Sequence, residues 1–333
     1  MRIVHLVTHG NKNGVTTSCH TLISAQQRRG HEVMLVTRPD SWLVKQAFPK
    51  PLTIVDSYLK TRPAEIARVG KIIRAWNPTV IHSHGSKANK YTLVYRVVAG
   101  GPVLTTAHAR KRQIPFALMR AVIAPSRHTA DFHHRNNLVR RGNLVVIPNL
   151  PADLVPAGNE AAQRRAELGI SEDEFVIGIV GDIDARKNQI DSVHILGKVL
   201  ARHRNARLVI VGRCPNDEPM PGWNEGMARP EIADRVILTG FREDAPALIE
   251  SFDVLLCTSK IEEGPMVVFE ALALKRPVVS YAVGMVPDVL RDGIDSFNIE
   301  IGDVGEAAEK ICRLIEEEGL GDRMAEQGRR RIE

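Results

Sequence analysis

Short apolar runs of strand length alternate along the chain with longer segments in which apolar residues recur at helical spacing. In the first half this pattern predicts six strands, at Ile3–Thr8, Glu32–Thr37, Val80–His84, Val103–Thr106, Ala121–Pro125 and Leu144–Ile147. It predicts helices at Thr17–Arg29 and Pro63–Trp76, and a third that begins at Ser126. Because successive parallel strands need crossover connections, the alternation predicts a doubly wound parallel α/β sheet.

The second half repeats the alternation around a helix predicted at Gln189–His203. Its predicted strands are Val176–Val180, Arg207–Val211, Val236–Thr239, Val254–Cys257 and Pro277–Ser280. Three of them end at a glycine, namely Gly181, Gly212 and Gly240. A glycine at the end of a strand indicates close approach of the backbone to a ligand at the carboxyl edge of the sheet.

A proline-rich segment separates the two halves. Pro148–Asn159 contains three prolines and Gly158, which is typical of an interdomain linker. With 333 residues, the chain is also longer than a single hydrophobic core usually serves. We therefore expect two Rossmann-like domains, residues 1–150 and residues 151–333, that face a central cleft in which a ligand binds.

The net charge of +6 hides a strong asymmetry between the halves. Residues 1–150 contain 23 lysines and arginines against five acidic residues, a net +18, whereas the remainder contains 22 against 34, a net −12. The excess favours an anionic partner for the first half, with Arg110, Lys111 and Arg112 as its densest cluster, although a solvated basic surface is the alternative. Nucleic acid is the weaker partner because only 5% of residues are aromatic and no zinc-finger or RNA-binding motif is present.

The four cysteines are scattered without the paired spacing of a zinc site. No apolar leader precedes the first predicted strand, and no apolar stretch approaches the ~20 residues that a membrane span needs. The expectation is a reduced, cytoplasmic protein without structural zinc, whose membrane contact, if it has any, is peripheral on the inner face of the cell membrane.

Two carboxylates eight residues apart, Glu262 and Glu270, follow the predicted strand Val254–Cys257. Between them lie Gly264, Pro265, Met266 and Val267, which read as a tight turn and a helix start. Free amides at a helix N-terminus attract phosphate, and carboxylates accept hydrogen bonds from sugar hydroxyls, so the pattern suits a nucleotide sugar. The alternative is that the acidic residues only complement the helix dipole.

Several motifs taken together resemble the retaining GT-B glycosyltransferases of family 4, which include lipopolysaccharide and mannosyl transferases. They are the opening Met1–His5, Arg28–Val33, Val146–Asn149, Gly181–Asn188, and Glu262-x7-Glu270 followed by Pro277–Val279 and Gly284. The resemblance covers nearly the whole chain. It implies the GT-B fold, and it favours a functional interpretation of the carboxylate pair.

On the donor side, the resemblance implies that Glu270 binds the ribose and Glu262 the transferred sugar. Amides of Met266 and Val267 would face the sugar and the diphosphate, since Pro265 has no N–H. Lys187 matches the lysine that stabilises the leaving diphosphate, and it follows the glycine turn at Gly181, with an ordinary exposed lysine as the alternative. Gly240 and Phe241 match the loop that holds the base, although Phe241 is also a candidate core residue.

One position departs from the family pattern. The arginine that usually follows the glycine of this strand is replaced by Asp182, whose charge would repel a phosphate by about 1–4 kcal/mol at 4 Å if nothing intervened. Arg186 is a candidate replacement for the arginine, and Asp182 is also able to turn away and bond a backbone amide. Asp182 and Asp184 form an Asp-x-Asp pattern, but carboxylates that alternate on a strand edge point to opposite sides, so no metal is expected.

In the first half, Gly14 and Thr16 are expected in the loop after the first strand, close to phosphate and acceptor. The resemblance places His108 beside the transferred sugar, with a satisfied surface histidine as the alternative. His82 and His84 alternate along a strand, and metal ligation is not expected of them without a third ligand.

The function implied is retaining transfer of a hexose-like sugar from a nucleotide diphosphate to a hydroxyl of a glycan or lipid-linked acceptor, in cell-envelope polysaccharide or lipopolysaccharide synthesis, without metal or other cofactor. The leaving diphosphate would take the acceptor proton while Lys187 and Arg186 stabilise its charge. A nucleotide-sugar 2-epimerase of the same fold and a catalytically weak sugar-nucleotide or membrane-binding protein are the alternatives. The basic first half would bind the acceptor or an anionic membrane.

Overall fold

The computed structural model describes residues 1–60, 62–151, 160–216 and 219–333. Contacts divide the chain into two compact units, Met1–Asn149 and Leu150–Glu333. The division falls inside the predicted linker Pro148–Asn159, of which residues 152–159 lie outside the described part of the chain.

The N-terminal unit contains a seven-stranded parallel sheet of order β3-β2-β1-β4-β5-β6-β7. Its strands are β1 (Arg2–Val7), β2 (Glu32–Thr37), β3 (Thr53–Asp56), β4 (Val80–His84), β5 (Val103–Thr106), β6 (Ala121–Ala124) and β7 (Leu144–Val146). Its α-helices are α1 (Gly14–Arg28), α2 (Pro63–Trp76), α3 (Ser86–Ala99) and α4 (Arg127–Asn136). Short 3₁₀ turns lie at Trp42–Lys45, Ile114–Leu118 and Arg141–Asn143.

The second unit contains a six-stranded parallel sheet of order β10-β9-β8-β11-β12-β13. Its strands are β8 (Phe175–Val180), β9 (Ala206–Val211), β10 (Val236–Gly240), β11 (Val254–Cys257), β12 (Val278–Tyr281) and β13 (Phe297–Ile299). Its helices are α5 (Glu160–Glu167), α6 (Gln189–Leu200), α7 (Trp223–Met227), α8 (Pro230–Ala233), α9 (Ala245–Glu250), α10 (Met266–Ala273), α11 (Val286–Val289), α12 (Val304–Glu316) and α13 (Leu320–Ile332).

Apolar residues of the C-terminal sheet are buried on both faces, in two clusters. One contains Ile177 and Ile179 of β8 with the inner face of α6, and the other contains Val176 with Phe269 of α10. A parallel sheet covered by helices on both sides buries near-continuous apolar strands, which is why these segments are recognisable in the sequence.

In each unit the strand order reverses at one place, between β1 and β4 in the first sheet and between β8 and β11 in the second. Loops that leave the carboxyl ends of such neighbouring strands diverge to opposite sides and open a crevice between them. This topology places the loop after β8 beside the loop after β11, and the loop after β1 beside the loop after β4.

The last helix, α13, packs on α10 within the C-terminal unit. Gly328 permits the approach, since a Cβ at that position would lie 2.5 Å from Leu272 Cδ2. None of the helices that the structure describes combines the length and the apolar character needed to cross a bilayer.

Candidate active site

The loop between β8 and α6 is held in shape by its own hydrogen bonds. Asp184 Oδ1 accepts from the backbone amides of Arg186 at 2.9 Å and Lys187 at 2.7 Å. Gln189 Nε2 donates to the carbonyl of Asp182 at 3.0 Å, which ties the first turn of α6 back to the end of β8. The backbone that carries Lys187 is therefore fixed before any ligand binds.

Glu262 joins this loop to the one that follows β11. Its Oε1 lies 2.7 Å from Lys187 Nζ and 2.7 Å from Arg186 Nη1. The Glu262 and Lys187 side chains are only 11% and 18% exposed, whereas Arg186 is 47% exposed. Three residues predicted from the sequence are thus brought together in a cluster with a net positive charge, partly shielded from water.

Helix α10 begins directly after Pro265, which caps the helix instead of forming its first turn as predicted. The amide of Val268 donates to the carbonyl of Pro265 at 3.0 Å, and no side chain caps this end. Val267 and Lys187 line one narrow crevice at the carboxyl ends of β8 and β11. The predicted donor-binding residues Gly264, Met266 and Val267 therefore surround the start of α10, and half-buried Glu270 lies in the next turn of the helix.

Gly284 allows the loop after β12 to approach the backbone of Glu262 and Glu263. Its φ of +55° is left-handed, and a Cβ there would lie 2.6 Å from the carbonyl oxygen of Glu263 and 2.9 Å from that of Glu262. The loop after β12 can therefore lie directly against the backbone of Glu262 only because residue 284 is glycine.

Asp182 is not an unopposed negative charge. Its carboxylate accepts hydrogen bonds from the Arg213 side chain, at 3.1 Å from Nε and 2.8 Å from Nη2, and from the Arg213 amide at 3.2 Å. The Arg213 guanidinium lowers the pKa of Asp182 below its ordinary value. Asp182 thus turns to a backbone amide, as one of the two expectations had it, but its main partner is an arginine that the sequence analysis did not single out.

A signal for Arg213 is present in the sequence. Arg213 follows Gly212 at the end of β9 as Asp182 follows Gly181 at the end of β8, and the two strands are neighbours in the sheet. The same guanidinium lies 5.6 Å from the ring centroid of Phe241, which is 55% exposed. The interpretation of Phe241 as a core residue is therefore wrong, and its ring is available to a ligand.

Both carboxylates of the Asp-x-Asp pattern are engaged in hydrogen bonds with other residues. Asp182 is bonded to Arg213, and Asp184 is bonded to two backbone amides of its own loop, while Ile183 between them is buried. Both carboxylates are committed to contacts that shape this loop.

In the N-terminal unit, the structure corrects the predicted position of Gly14 and Thr16. Gly14 and Thr16 do not lie in the loop after β1, because α1 begins at Gly14. Asn13 caps that helix: its Oδ1 accepts from the amides of Val15 and Thr16, and the Thr16 hydroxyl accepts from the Asn13 amide at 2.9 Å. This reciprocal capping box occupies the buried Thr16 side chain and starts the helix three residues earlier than predicted.

Four histidines lie in contact with one another toward the carboxyl edge of the N-terminal sheet. His5 of β1 lies opposite His82 of β4 in register, and His84 lies two residues further on the same face. Ring centroids of His82 and His84 are 4.2 Å apart, and those of His84 and His108 are 5.6 Å apart. His108 is half-buried and hydrogen-bonded to His84. The alternative interpretation of His108 as a surface histidine is therefore wrong.

Burial keeps the cluster neutral. Desolvation lowers the pKa of both His5 and His108 to about 4, and it holds the pKa of His82 and His84 well below the ordinary range, helped by the neighbouring imidazoles. His82 Nε2 also lies 2.8 Å from the Thr106 hydroxyl.

A potential third ligand for a metal is present beside this cluster. In the described part of the chain, His5, Cys19 and His84 each bring one ligand-type atom within 4.8 Å of the others. However, His5 Nδ1 and His84 Nε2 already share a 2.9 Å hydrogen bond, and burial strongly raises the pKa of the Cys19 thiol, which disfavours the thiolate that binds metals. The contacts of His5 and His84 are therefore those of hydrogen-bonded residues in a protein core.

The buried histidines predict acid sensitivity of the N-terminal unit. Because their folded pKa lies below the unfolded value of 6.5, the unfolded chain takes up protons first, so stability is complete above about pH 6.5 and falls as the pH drops toward 4. A shift of that size is worth roughly 3 kcal/mol for one fully titrated imidazole. Hydrogen exchange at pH 7.5 and pH 5 should show lost protection in β1 and β4, with β8 and β11 as the internal control; equal loss in both sheets would contradict the assignment.

The predicted basic cluster Arg110–Arg112 follows β5 and is joined to α4. The Arg110 guanidinium contacts His128, and Asn137 Nδ2 donates to the carbonyl of Lys111 at 2.9 Å. The Gln113 amide donates a hydrogen bond to Asn137 Oδ1. Ile114 directly follows Gln113 in the chain, and Leu138 directly follows Asn137. Ile114 is 86% exposed and Leu138 79% exposed, which puts two bare aliphatic side chains beside three cations.

Two family models match the chain. The model described as glycosyl transferases group 1 matches residues 160–331, which is more than half of the chain, and the model described as glycosyltransferase family 4 matches residues 12–150. The two matches correspond closely to the two structural units.

Individual proteins agree with the family models. The chain is 21% identical over 327 residues to N-acetyl-alpha-D-glucosaminyl L-malate synthase of Bacillus anthracis, covering 91% of this chain and 85% of the relative. It is 26% identical over 308 residues to alpha-D-kanosaminyltransferase of Streptomyces kanamyceticus, covering 82% and 77%. The structure of Anabaena HepE in complex with UDP and glucose superimposes with a TM-score of 0.81 at 19% identity, over 100% of this chain and 96% of that one. That likeness shows the fold, which is GT-B.

Proposed function

Because the chain belongs to the glycosyl transferases group 1 family and is a glycosyltransferase, we propose that it moves a sugar from a nucleoside-diphosphate donor to a hydroxyl of a glycan or glycolipid, with retention of anomeric configuration. The observation that carries this proposal is the cluster of Lys187, Arg186 and Glu262 at the uncapped start of α10. Two cations and free amides suit a diphosphate, and the two carboxylates suit sugar hydroxyls.

In the proposed reaction, the bond between the anomeric carbon and the diphosphate oxygen breaks while the acceptor oxygen bonds to that carbon from the same face. The departing diphosphate oxygen takes the acceptor proton. Lys187, Arg186 and the start of α10 stabilise the negative charge that grows on the diphosphate, so this mechanism invokes no metal or other cofactor.

The remaining roles follow from the same proposal. Glu270 accepts from the ribose hydroxyls, Glu262 from the transferred sugar, and Phe241 with Gly240 supports the base. His108 is proposed as a contact to the transferred sugar. The similarity to an alpha-D-kanosaminyltransferase and to an N-acetyl-alpha-D-glucosaminyl L-malate synthase supports a sugar-transfer reaction, and the UDP complex of HepE supports a nucleotide on the donor side.

Product analysis with a panel of nucleotide sugars and lipid-linked acceptors tests the proposal. We expect a glycosylated acceptor and free nucleoside diphosphate in equal amounts, with the anomeric configuration of the donor retained in the product by proton NMR. Release of nucleotide without any need for an acceptor would identify the epimerase alternative, and an inverted product would contradict the mechanism.

Arg213 is expected to support donor binding by neutralising Asp182. Removal of the guanidinium in Arg213→Ala leaves a carboxylate near the diphosphate, so the Kd of the matching nucleoside diphosphate should rise about ten-fold, equivalent to ~1.4 kcal/mol. Isothermal titration at low salt measures this effect. The double variant Arg213→Ala with Asp182→Ala should recover most of the affinity; a double variant as weak as the single one would show that Arg213 binds the donor directly.

We further propose that the acceptor is carried on an anionic membrane, in cell-envelope glycan synthesis, and that Arg110, Lys111 and Arg112 contact the lipid surface. Exposed Ile114 and Leu138 beside these cations support a surface that combines charge attraction with shallow burial of aliphatic side chains. Such a contact would make the protein a peripheral membrane protein on the cytoplasmic face.

Charge reversal tests the membrane contact. Replacement of Arg110, Lys111 and Arg112 by glutamate should abolish co-sedimentation with vesicles that contain anionic lipid, since each basic residue at such a surface contributes about 1 kcal/mol. The control reverses three exposed cations near the opposite edge of the same sheet, namely Arg29, Lys45 and Lys50. Equal binding by the two triple variants would exclude this surface.

A further inference from the structure

A chain of hydrogen bonds runs through the buried histidine cluster from helix α1 to His108. Gln26 Oε1 lies 2.8 Å from His5 Nε2, His5 Nδ1 lies 2.9 Å from His84 Nε2, and His84 Nδ1 lies 3.3 Å from His108 Nε2. His5 and His84 thus each use one ring nitrogen toward Gln26 and the other toward His108, and His108 ends the chain through its Nε2. His5 and His84 are buried, so no water shell offers them other partners.

The direction of this chain follows from its first member. The Gln26 amide presents its oxygen to His5, and an amide oxygen only accepts, so in this orientation His5 carries its proton on Nε2 and presents a lone pair at Nδ1. The proton between His5 and His84 then belongs to His84 Nε2, and the proton between His84 and His108 belongs to His108 Nε2. In a neutral imidazole the other nitrogen is an acceptor, so His108 has its lone pair on Nδ1.

We propose that Gln26 is a positioning residue that holds His108 in the Nε2–H tautomer through His5 and His84. Reversal of any one imidazole would place two protons or two lone pairs face to face in a buried site, which costs the full desolvation of the groups left unbonded. The three imidazoles therefore change tautomer together or not at all, and the amide of Gln26 selects the state.

The consequence for chemistry is specific. Within the described residues, His108 Nδ1 has no hydrogen-bond partner, so it is the nitrogen that remains available to a ligand. With a lone pair there, His108 accepts a hydrogen bond from a hydroxyl; in the reversed chain it would only donate. The hydrogen bond from a sugar hydroxyl rests on the proposed role of His108 toward the transferred sugar. The assignment of the His108 tautomer does not depend on that role.

The experiment is nitrogen-15 NMR of the full chain with labelled histidine at pH 7.5, in which couplings to the ring protons report which nitrogen carries the proton. His108→Asn assigns the His108 signals. The wild type should show His5, His84 and His108 each as a single Nε2–H tautomer. A His108 that is protonated on Nδ1, or that populates both tautomers, would overturn the proposal without any variant.

Three variants test the role of Gln26. Gln26→Leu, which keeps volume but has no acceptor, should abolish the single-tautomer signal of His108, and Gln26→Glu, which restores an acceptor oxygen, should retain it. The control is Gln27→Leu, because neighbouring Gln27 is also a hydrogen-bonded glutamine of α1, buried in the core, but it pairs with the backbone of Lys50. If His108 keeps its tautomer in Gln26→Leu, or loses it in Gln27→Leu as well, the proposal fails.

Transfer assays separate this proposal from the proposed function. If Gln26→Leu changes the His108 tautomer and also lowers kcat with little change in KM, the positioning role of Gln26 and the role of His108 toward the sugar are both supported. If the tautomer changes while transfer is unaffected, the positioning stands and the role of His108 toward the sugar is wrong. If transfer falls while the tautomer is unchanged, Gln26 acts through general stability, and the positioning proposal is contradicted.

Discussion

Replacement of Lys187 by methionine is expected to lower kcat/KM for sugar transfer by about 10²–10³-fold, because the ammonium group is placed to neutralise charge that develops on the leaving diphosphate. The side chain is largely shielded from water and is 2.7 Å from Glu262, so its field is weakly screened. Steady-state kinetics at saturating acceptor measure the effect, and it should fall mainly on kcat.

The matched control is Lys198→Met on α6, which makes the same chemical change at an exposed position of the same unit and should leave transfer within about two-fold of wild type. Arg186 still pairs with Glu262 in the Lys187 variant, so the loop should keep its shape. Loss of transfer by less than ten-fold in Lys187→Met would show that the charge of the leaving group is stabilised elsewhere.

Gly212→Ala is expected to destabilise the C-terminal unit by about 3 kcal/mol or more, since the new methyl group meets backbone rather than a flexible side chain. A Cβ at Gly212 would lie 2.0 Å from the carbonyl oxygen of Gly181 and 3.0 Å from the amide of Asp182. The ends of β8 and β9 must then separate, which also moves the loop that carries Lys187. Reduced donor binding should accompany the loss of stability.

Hydrogen exchange of β8 and β9 measures this effect locally, and it avoids a two-state assumption for a chain with two units. Gly305→Ala in α12 is the control, because its Cβ would meet only Asp303 Oδ1 at an ordinary 3.4 Å and alanine favours a helix. Unchanged protection in Gly212→Ala would mean that the loops yield at little cost, contrary to the packing described.

The sequence predicted most strands of both sheets within one or two residues, because parallel strands covered on both faces are uniformly apolar. It missed α3, although the parallel pairing of β4 with β5 requires a crossover. The segment Ser86–Ala99 is rich in β-branched and aromatic residues, which favour strands locally. Packing overrides that preference: α3 approaches α2 so closely that a Cβ at Gly70 would lie 2.5 Å from Val98 Cγ1.

The site was predictable where its residues follow strands that are neighbours in the sheet. Lys187 and Glu262 come together because β8 pairs with β11, and that order is what the doubly wound pattern implies. Arg213 was not singled out, although it follows Gly212 as Asp182 follows Gly181 on the neighbouring strand. The hydrogen-bond chain from Gln26 was not predicted because it depends on side-chain direction. Gln26 reaches His5 across a helix-to-sheet contact, and no spacing in the sequence encodes such a contact.

The measurement that tests the central claim most directly is a thermal-shift panel of UDP, GDP, ADP and CMP with their sugars, on the wild type and on Glu270→Ala, with and without magnesium. One nucleoside diphosphate should stabilise the wild type by about 2.7 kcal/mol at 100 times its Kd, without magnesium, and the variant should lose that response. If no diphosphate stabilises the wild type, or if Glu270→Ala responds equally, the site at the start of α10 does not bind a nucleotide-sugar donor.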